Sequence, residues 1–141
     1  MISITSNPID LSSAYKYVST DEAGAILFFF GTVRKSTRRP NEPLREVQRL
    51  EYEAYDKMAV QEMQKIASEA CQRWNIQKYV IVHRTGKLLV GEMAVLVAVA
   101  TPHRDDAFEA GRFIIDTLKA SVPIWKKEVF DDGSVWVDAH P

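Results

Sequence analysis

Three groups of cationic side chains stand beside backbone that the sequence must order. Together they have the makings of a site for a phosphorylated or otherwise anionic small molecule. Thr32-Val33-Arg34 closes a strongly apolar run. His103-Arg104 follows Thr101-Pro102 at a helix start, where free N–H groups and the helix dipole already favour an anion. Lys119 lies near the end of the same helix, and Lys126 and Lys127 follow it in PIWKKE, residues 123–128.

Each group also has a plainer reading. Arg34 suits the first solvated position after a strand. His103 and Arg104 suit an exposed first turn, although a cation there opposes the dipole, a cost that a bound anion would offset. Lys119 near a helix C-terminus is stabilising without any function, and Lys127 reads as a surface charge. Pro123 stops the helix, and Ile124 and Trp125 read as buried, which fixes Lys126 in place. Cys71 shares a helical face with Ala67 and Trp74 and reads as a small core residue rather than a nucleophile. His83 reads as structural. Phe28, Phe29 and Phe30 read chiefly as core, with alternation turning one or two to the other face. Arg104 and Lys119 are 15 positions apart on one helix, roughly 22 Å. A small substrate touches both only if two chains combine, one contributing its helix start and the other its helix end.

The elements that would position these residues follow from periodicity. Residues 10–19 predict a short helix with Asp10 as N-cap. Gly24–Val33, GAILFFFGTV, predicts a buried strand. Residues 35–46, KSTRRPNEPLRE, carry two prolines and four basic residues without apolar periodicity, and predict a mobile loop. Val47–Ala54 predicts a strand. Apolar residues at 59, 60, 63, 66, 67, 70, 71 and 74 predict an amphipathic helix over 56–74. Strands follow at 78–83 and 92–100, separated by a turn at 84–88. A second long helix, capped by Thr101 with Pro102 in its first turn, runs to about Ser121. Val129 and Ser134–Val137 predict a hairpin around Asp132–Gly133. Strands and helices in this order predict one α+β domain over 1–141 with a mostly antiparallel sheet and two main amphipathic helices.

Composition narrows the function. The chain has 141 residues, and 18 basic against 19 acidic residues give a formal net charge of −1. That excludes the basic excess of a general nucleic-acid or anionic-membrane binder. No stretch approaches the roughly 20 apolar residues of a membrane span, and the N-terminus lacks the marks of a secretory signal, so a cytoplasmic location is expected. One cysteine allows no intrachain disulfide. Histidines scattered at 83, 103 and 140 offer no metal-ligand spacing, and neither a metal nor a cofactor is expected.

Four stretches carry a resemblance: LEYEAYDKMA (50–59), HRTGKLLVGE (83–92), TPHRDDAFEAGRFIIDTLKASVPIWKKE (101–128) and WVDA (136–139). In combination they resemble the large, catalytic subunit of molybdopterin synthase, from about Gly24 to Ala139. The resemblance implies an α/β-hammerhead type fold. It also implies a sulfurtransferase of molybdenum cofactor biosynthesis that converts cyclic pyranopterin monophosphate (precursor Z) into molybdopterin. Two sulfurs would arrive from the thiocarboxylated C-terminus of a small ubiquitin-like subunit, and two large subunits would form a homodimer within a heterotetramer.

By the same resemblance, Lys119 and Lys126 correspond to catalytic lysines. Thr32, Val33 and Arg34 would lie against pterin and phosphate, and His103 and Arg104 would bind substrate across the dimer from Lys119. Lys127 and Glu128 continue the Lys126 segment, with Glu128 holding Lys126, and Phe29 would pack near the partner's threaded tail. The residue types suit the chemistry. Fixed cations stabilise charge on phosphate and acyl oxygens, and a lysine crowded by like charges can pass a proton or act as a nucleophile. Two departures stand out: STRRPNEP replaces a glycine-containing loop after Arg34, and His140 stands where the family can carry an arginine. Two other readings leave the combined motif unexplained: a binding module for a ubiquitin-like tail, and a different phosphate-ester enzyme.

Overall fold

A computed structural model describes residues 1–141. In chain order the elements are β1 (Ile2–Thr5), α1 (Leu11–Val18), β2 (Ala25–Thr32), β3 (Ser36–Thr37), β4 (Arg45–Ala54), α2 (Asp56–Arg73), β5 (Lys78–Arg84), β6 (Gly86–Leu89), β7 (Met93–Thr101), α3 (Arg104–Ser121), β8 (Ile124–Phe130) and β9 (Val135–Asp138). They build two sheets. The first has strand order β1-β5-β7-β2, with only β1 and β5 parallel. The second has order β3-β4-β8-β9, with β6 also paired to β4. The expected α+β class with a mostly antiparallel sheet and two long helices holds.

Strand β7 is buried over nearly its whole length because it is central and covered on both faces. On one face α1 lays Ala14 and Val18 against Val80, Val82, Leu96, Ala98 and Ala100. Asp10 caps this helix as expected, its carboxylate accepting from the Ser13 N–H at 3.2 Å. On the other face α2 and α3 share the larger core with Val97, Val99 and Ile81 and with residues of the second sheet. Helix α3 reaches β2 closely because Gly111 has no side chain. A Cβ there would stand 2.5 Å from Leu27 Cδ2.

Several expectations are corrected. Strand β1 was not foreseen, and β6 occupies what reads as a turn. Helix α3 begins at Arg104 with His103 as N-cap; Thr101 remains in β7, where its hydroxyl donates to the His103 carbonyl at 2.6 Å. Strand β8 starts at Ile124, ahead of the expected Val129, so Lys126 and Lys127 lie within it. Cys71 is exposed, not core. The buried stripe of α2 is Ala59, Met63, Ile66, Ala67 and Ala70, and Cys71 falls just past its edge. Its thiol pKa is nevertheless raised, chiefly because neighbouring protein partly desolvates it.

The 35–46 segment is anchored at both ends of its course. It forms β3, and Arg45 bonds to Asp132 and Ser134 in the β8–β9 turn while its guanidinium lies 3.8 Å from the Phe130 ring centroid. That turn closes at Gly133, whose φ of +84° is left-handed, as the Asp132–Gly133 pair predicts. No helix is long and apolar enough to cross a membrane.

Candidate active site

Lys119 sits at the junction of the two sheets. It closes one end of a groove of about 470 Å³ between β2 and α3, lined by Leu27, Phe29, Phe108, Gly111 and Ile115 among others. It also borders a cavity of about 50 Å³ with Gly31, Thr32, Tyr52 and His83. A bulge between Gly31 and Thr32 shifts the β2–β7 register there and turns the end of β2, with Thr32 exposed beside Lys119. Much of Lys119's surface is open to solvent. Even so, partial desolvation, followed by repulsion from Lys126 and Arg34, holds its pKa below the ordinary lysine value. Three of the expected cations therefore share one electrostatic neighbourhood, although they come from α3, β8 and the second residue after β2.

Register explains why Lys126 and not Lys127 joins them. In β8 successive side chains alternate faces. Lys126 pairs with Tyr52, whose ring meets His83 edge-on at 4.9 Å between centroids. Glu128, two residues on, shares that face, is 8% exposed, and places Oε1 3.8 Å from Lys126 Nζ. Lys127 points the other way and lies 3.3 Å from Glu51, so the structure separates it from the expected substrate cluster. Val33 also departs from expectation. Its side chain is in the core, 2% exposed. Its N–H donates to the Glu92 carbonyl, and its own carbonyl accepts from Gly91, so both backbone groups are engaged within the fold.

Two residues read as structural or overlooked form the floor of the site. His83 is buried, and Nδ1 lies 2.8 Å from the Arg84 carbonyl. A carbonyl only accepts, so Nδ1 carries the hydrogen and the ring is the neutral Nδ1–H tautomer. Burial, outweighing that bond and aided by the Lys119 charge, lowers the His83 pKa to about 4. Burial, with a smaller contribution from Glu128, pushes Tyr52 up to about 12. The floor is thus uncharged across the neutral range. A repeated Tyr in LEYEAY gave no hint that Tyr52, unlike the exposed Tyr55, faces inward. Phe108, 61% exposed, also lines the groove. Phe29 lines it too.

His103 and Arg104 are exposed at the opposite end of α3 from Lys119, and neither makes a side-chain contact that caps the helix. Within one chain they do not reach the lysines.

The MoaE protein family model matches residues 4–121 of this chain. A Bacillus subtilis (strain 168) molybdopterin synthase catalytic subunit is 45% identical over 134 residues, covering 95% of this chain and 82% of that protein. Its counterpart from Dictyostelium discoideum is 43% identical over 135 residues, covering 94% and 82%. The crystal structure of molybdopterin synthase from Staphylococcus aureus superposes with a TM-score of 0.88 at 36% identity, covering 98% of this chain and 96% of that one.

Proposed function

The chain belongs to the MoaE protein family, and from that premise we propose that it is the catalytic subunit of a molybdopterin synthase, with Lys119 and Lys126 as the reacting pair. It is a sulfurtransferase of molybdenum cofactor biosynthesis. Its substrate is precursor Z, and its sulfur donor is the thiocarboxylated C-terminus of a small ubiquitin-like partner. The observation that carries the residue assignment is the convergence of Lys119, Lys126 and Arg34 where an apolar groove ends.

A tail of small residues lies in the groove over Phe29 and Phe108 and brings its terminal acyl group to Lys119. Arg34 and the Thr32 hydroxyl hold the phosphate end of the substrate. Lys119, its ammonium already disfavoured, exchanges a proton with the reacting groups or contacts the acyl carbon directly. Lys126 stabilises the charge that develops on oxygen, with the Glu128 carboxylate 3.8 Å from its ammonium. Two copies pair so that His103 and Arg104 of one complete the anion site of the other. The work is done in the cytoplasm.

The test mixes the protein with a thiocarboxylated small subunit and precursor Z and measures dithiolene formation. Wild type is expected to form product, and Lys119→Ala to lose at least about a hundredfold in kcat with the partner still bound. Equal product from both would remove Lys119 from the chemistry. No product from either, with partner bound and substrate intact, would favour a tail-binding module.

A further inference from the structure

The basic loop that departs from the family's glycine-containing pattern places one of its arginines against the candidate site. Arg39 Nη2 donates to Glu128 Oε2 at 2.7 Å, a pair spanning 89 positions of sequence. The guanidinium is 4.0 Å from the Trp136 ring centroid and 5.6 Å from that of Phe130, and its side chain is 19% exposed. Trp136 is the cross-strand neighbour of Glu128, so the stack and the ion pair fix Arg39 together.

Glu128 therefore has two cations and treats them differently. Arg39 takes one carboxylate oxygen in a charge-assisted hydrogen bond. Lys126 stands 3.8 Å from the other oxygen, beyond hydrogen-bond reach. A carboxylate this buried needs a bonded counter-charge. Without Arg39, the remaining cation within reach is Lys126, at the cost of donors otherwise free for substrate.

We propose that Arg39 is a positioning residue: by occupying Glu128, it keeps the Lys126 ammonium uncommitted and available to the reacting anion. This rests on the assignment of Lys126 to the sulfur-transfer site. Loop 35–46 then does more than border the site, because it sets how tightly one of the two lysines is held.

Two measurements on wild type, Arg39→Ala, Glu128→Gln and the double variant separate this from simple loop anchoring. The first is competitive acetylation of Lys126 at fixed pH, read by mass spectrometry, which needs no turnover. Arg39→Ala is expected to slow Lys126 labelling about fivefold, and Glu128→Gln added to it to restore the rate, since an amide presents no charge to neutralise. The second is dithiolene formation, with kcat expected to fall roughly tenfold in Arg39→Ala at unchanged partner affinity and to recover in part in the double variant. Loop anchoring alone predicts losses that multiply. Unchanged labelling in Arg39→Ala, or a double variant worse than either single one, overturns the proposal. Wild type that labels as expected but makes no product would instead overturn the sulfur-transfer reading. Should Arg39→Ala fail to fold, Arg39→Gln removes the charge while keeping most of the stem, and the same comparisons decide.

Discussion

Three effects lower the Lys119 pKa, in order of strength: partial desolvation, then the charges of Lys126 and Arg34. The direction of each effect gives a measurable consequence. All three disfavour the ammonium, so more free amine is present at any given pH than on an ordinary surface lysine. Removing Lys126 as Lys126→Ala deletes one repulsion, raises the Lys119 pKa towards the ordinary value, and reduces the free amine. Acetylation of Lys119 at pH 8 is therefore expected to slow about threefold in Lys126→Ala, the size of a partly screened like-charge interaction. An unchanged rate would show that desolvation alone perturbs Lys119 and that the two lysines do not act as a pair. The same reasoning explains why Lys127 is unsuited to the role despite its position next to Lys126. It sits on the opposite face of β8 with its own carboxylate partner, Glu51.

At the scale of elements, the seam between the sheets is the feature most exposed to pH. His83 on β5 packs edge-on to Tyr52 on β4, and its folded pKa of about 4 lies below the ordinary 6.5. The unfolded chain therefore binds the extra proton first. Stability from this group is complete above about pH 6.5 and is lost as pH falls towards 4, by about 3 kcal/mol. Asp10 and Asp132, held low mainly by hydrogen bonds from Ser13 and Ser134, and Glu51, whose desolvation is outweighed by Lys127, act mainly below their ordinary 3.8 and 4.5, so the loss above about pH 5 belongs to His83. Chemical unfolding of wild type between pH 7 and 4.5 is expected to show this loss and His83→Asn a flatter profile; equal slopes would remove His83 as the cause. Much of this architecture was legible in sequence, because α2, α3, β2 and β7 have strong 3.6-residue or continuous apolar patterns and Asp132–Gly133 marks its own turn. What escaped was non-local. Strand β1 is four residues of middling exposure held parallel to β5, each paired with a residue 79 positions away. Strand β8 was hidden because Glu128, a charged residue, holds a buried position that only Arg39 and Lys126 make tolerable. Lys119, Lys126, Arg34 and Phe29 could be named from the family motif, whereas Arg39 could not, since its partner lies 89 positions away.

At the scale of the molecule, α3 presents a geometric problem that one chain does not solve. The helix runs from Arg104 to Ser121, and its straight rise keeps Arg104 roughly 22 Å from Lys119. A two-fold pair solves it, because a second copy can bring its own His103 and Arg104 to the first copy's lysines and receive the same in return. The outer face of the second sheet offers material for such a contact: Tyr55, Leu89 and Val137 are 63%, 59% and 61% exposed, beside a hollow lined by Trp125 and Ala54. If the sites are shared, a dimer of one Arg104→Ala chain and one Lys119→Ala chain carries one doubly damaged site and one intact site. Random reassortment of equal amounts makes about half the dimers mixed, so about a quarter of wild-type dithiolene formation should return from two preparations that are each nearly inactive. Activity that stays at the level of the separate variants, with mixed dimers demonstrated by mass, would mean that each chain works alone. Arg104 would then have to act at a site distant from Lys119, and the cationic start of α3 would need a different anion.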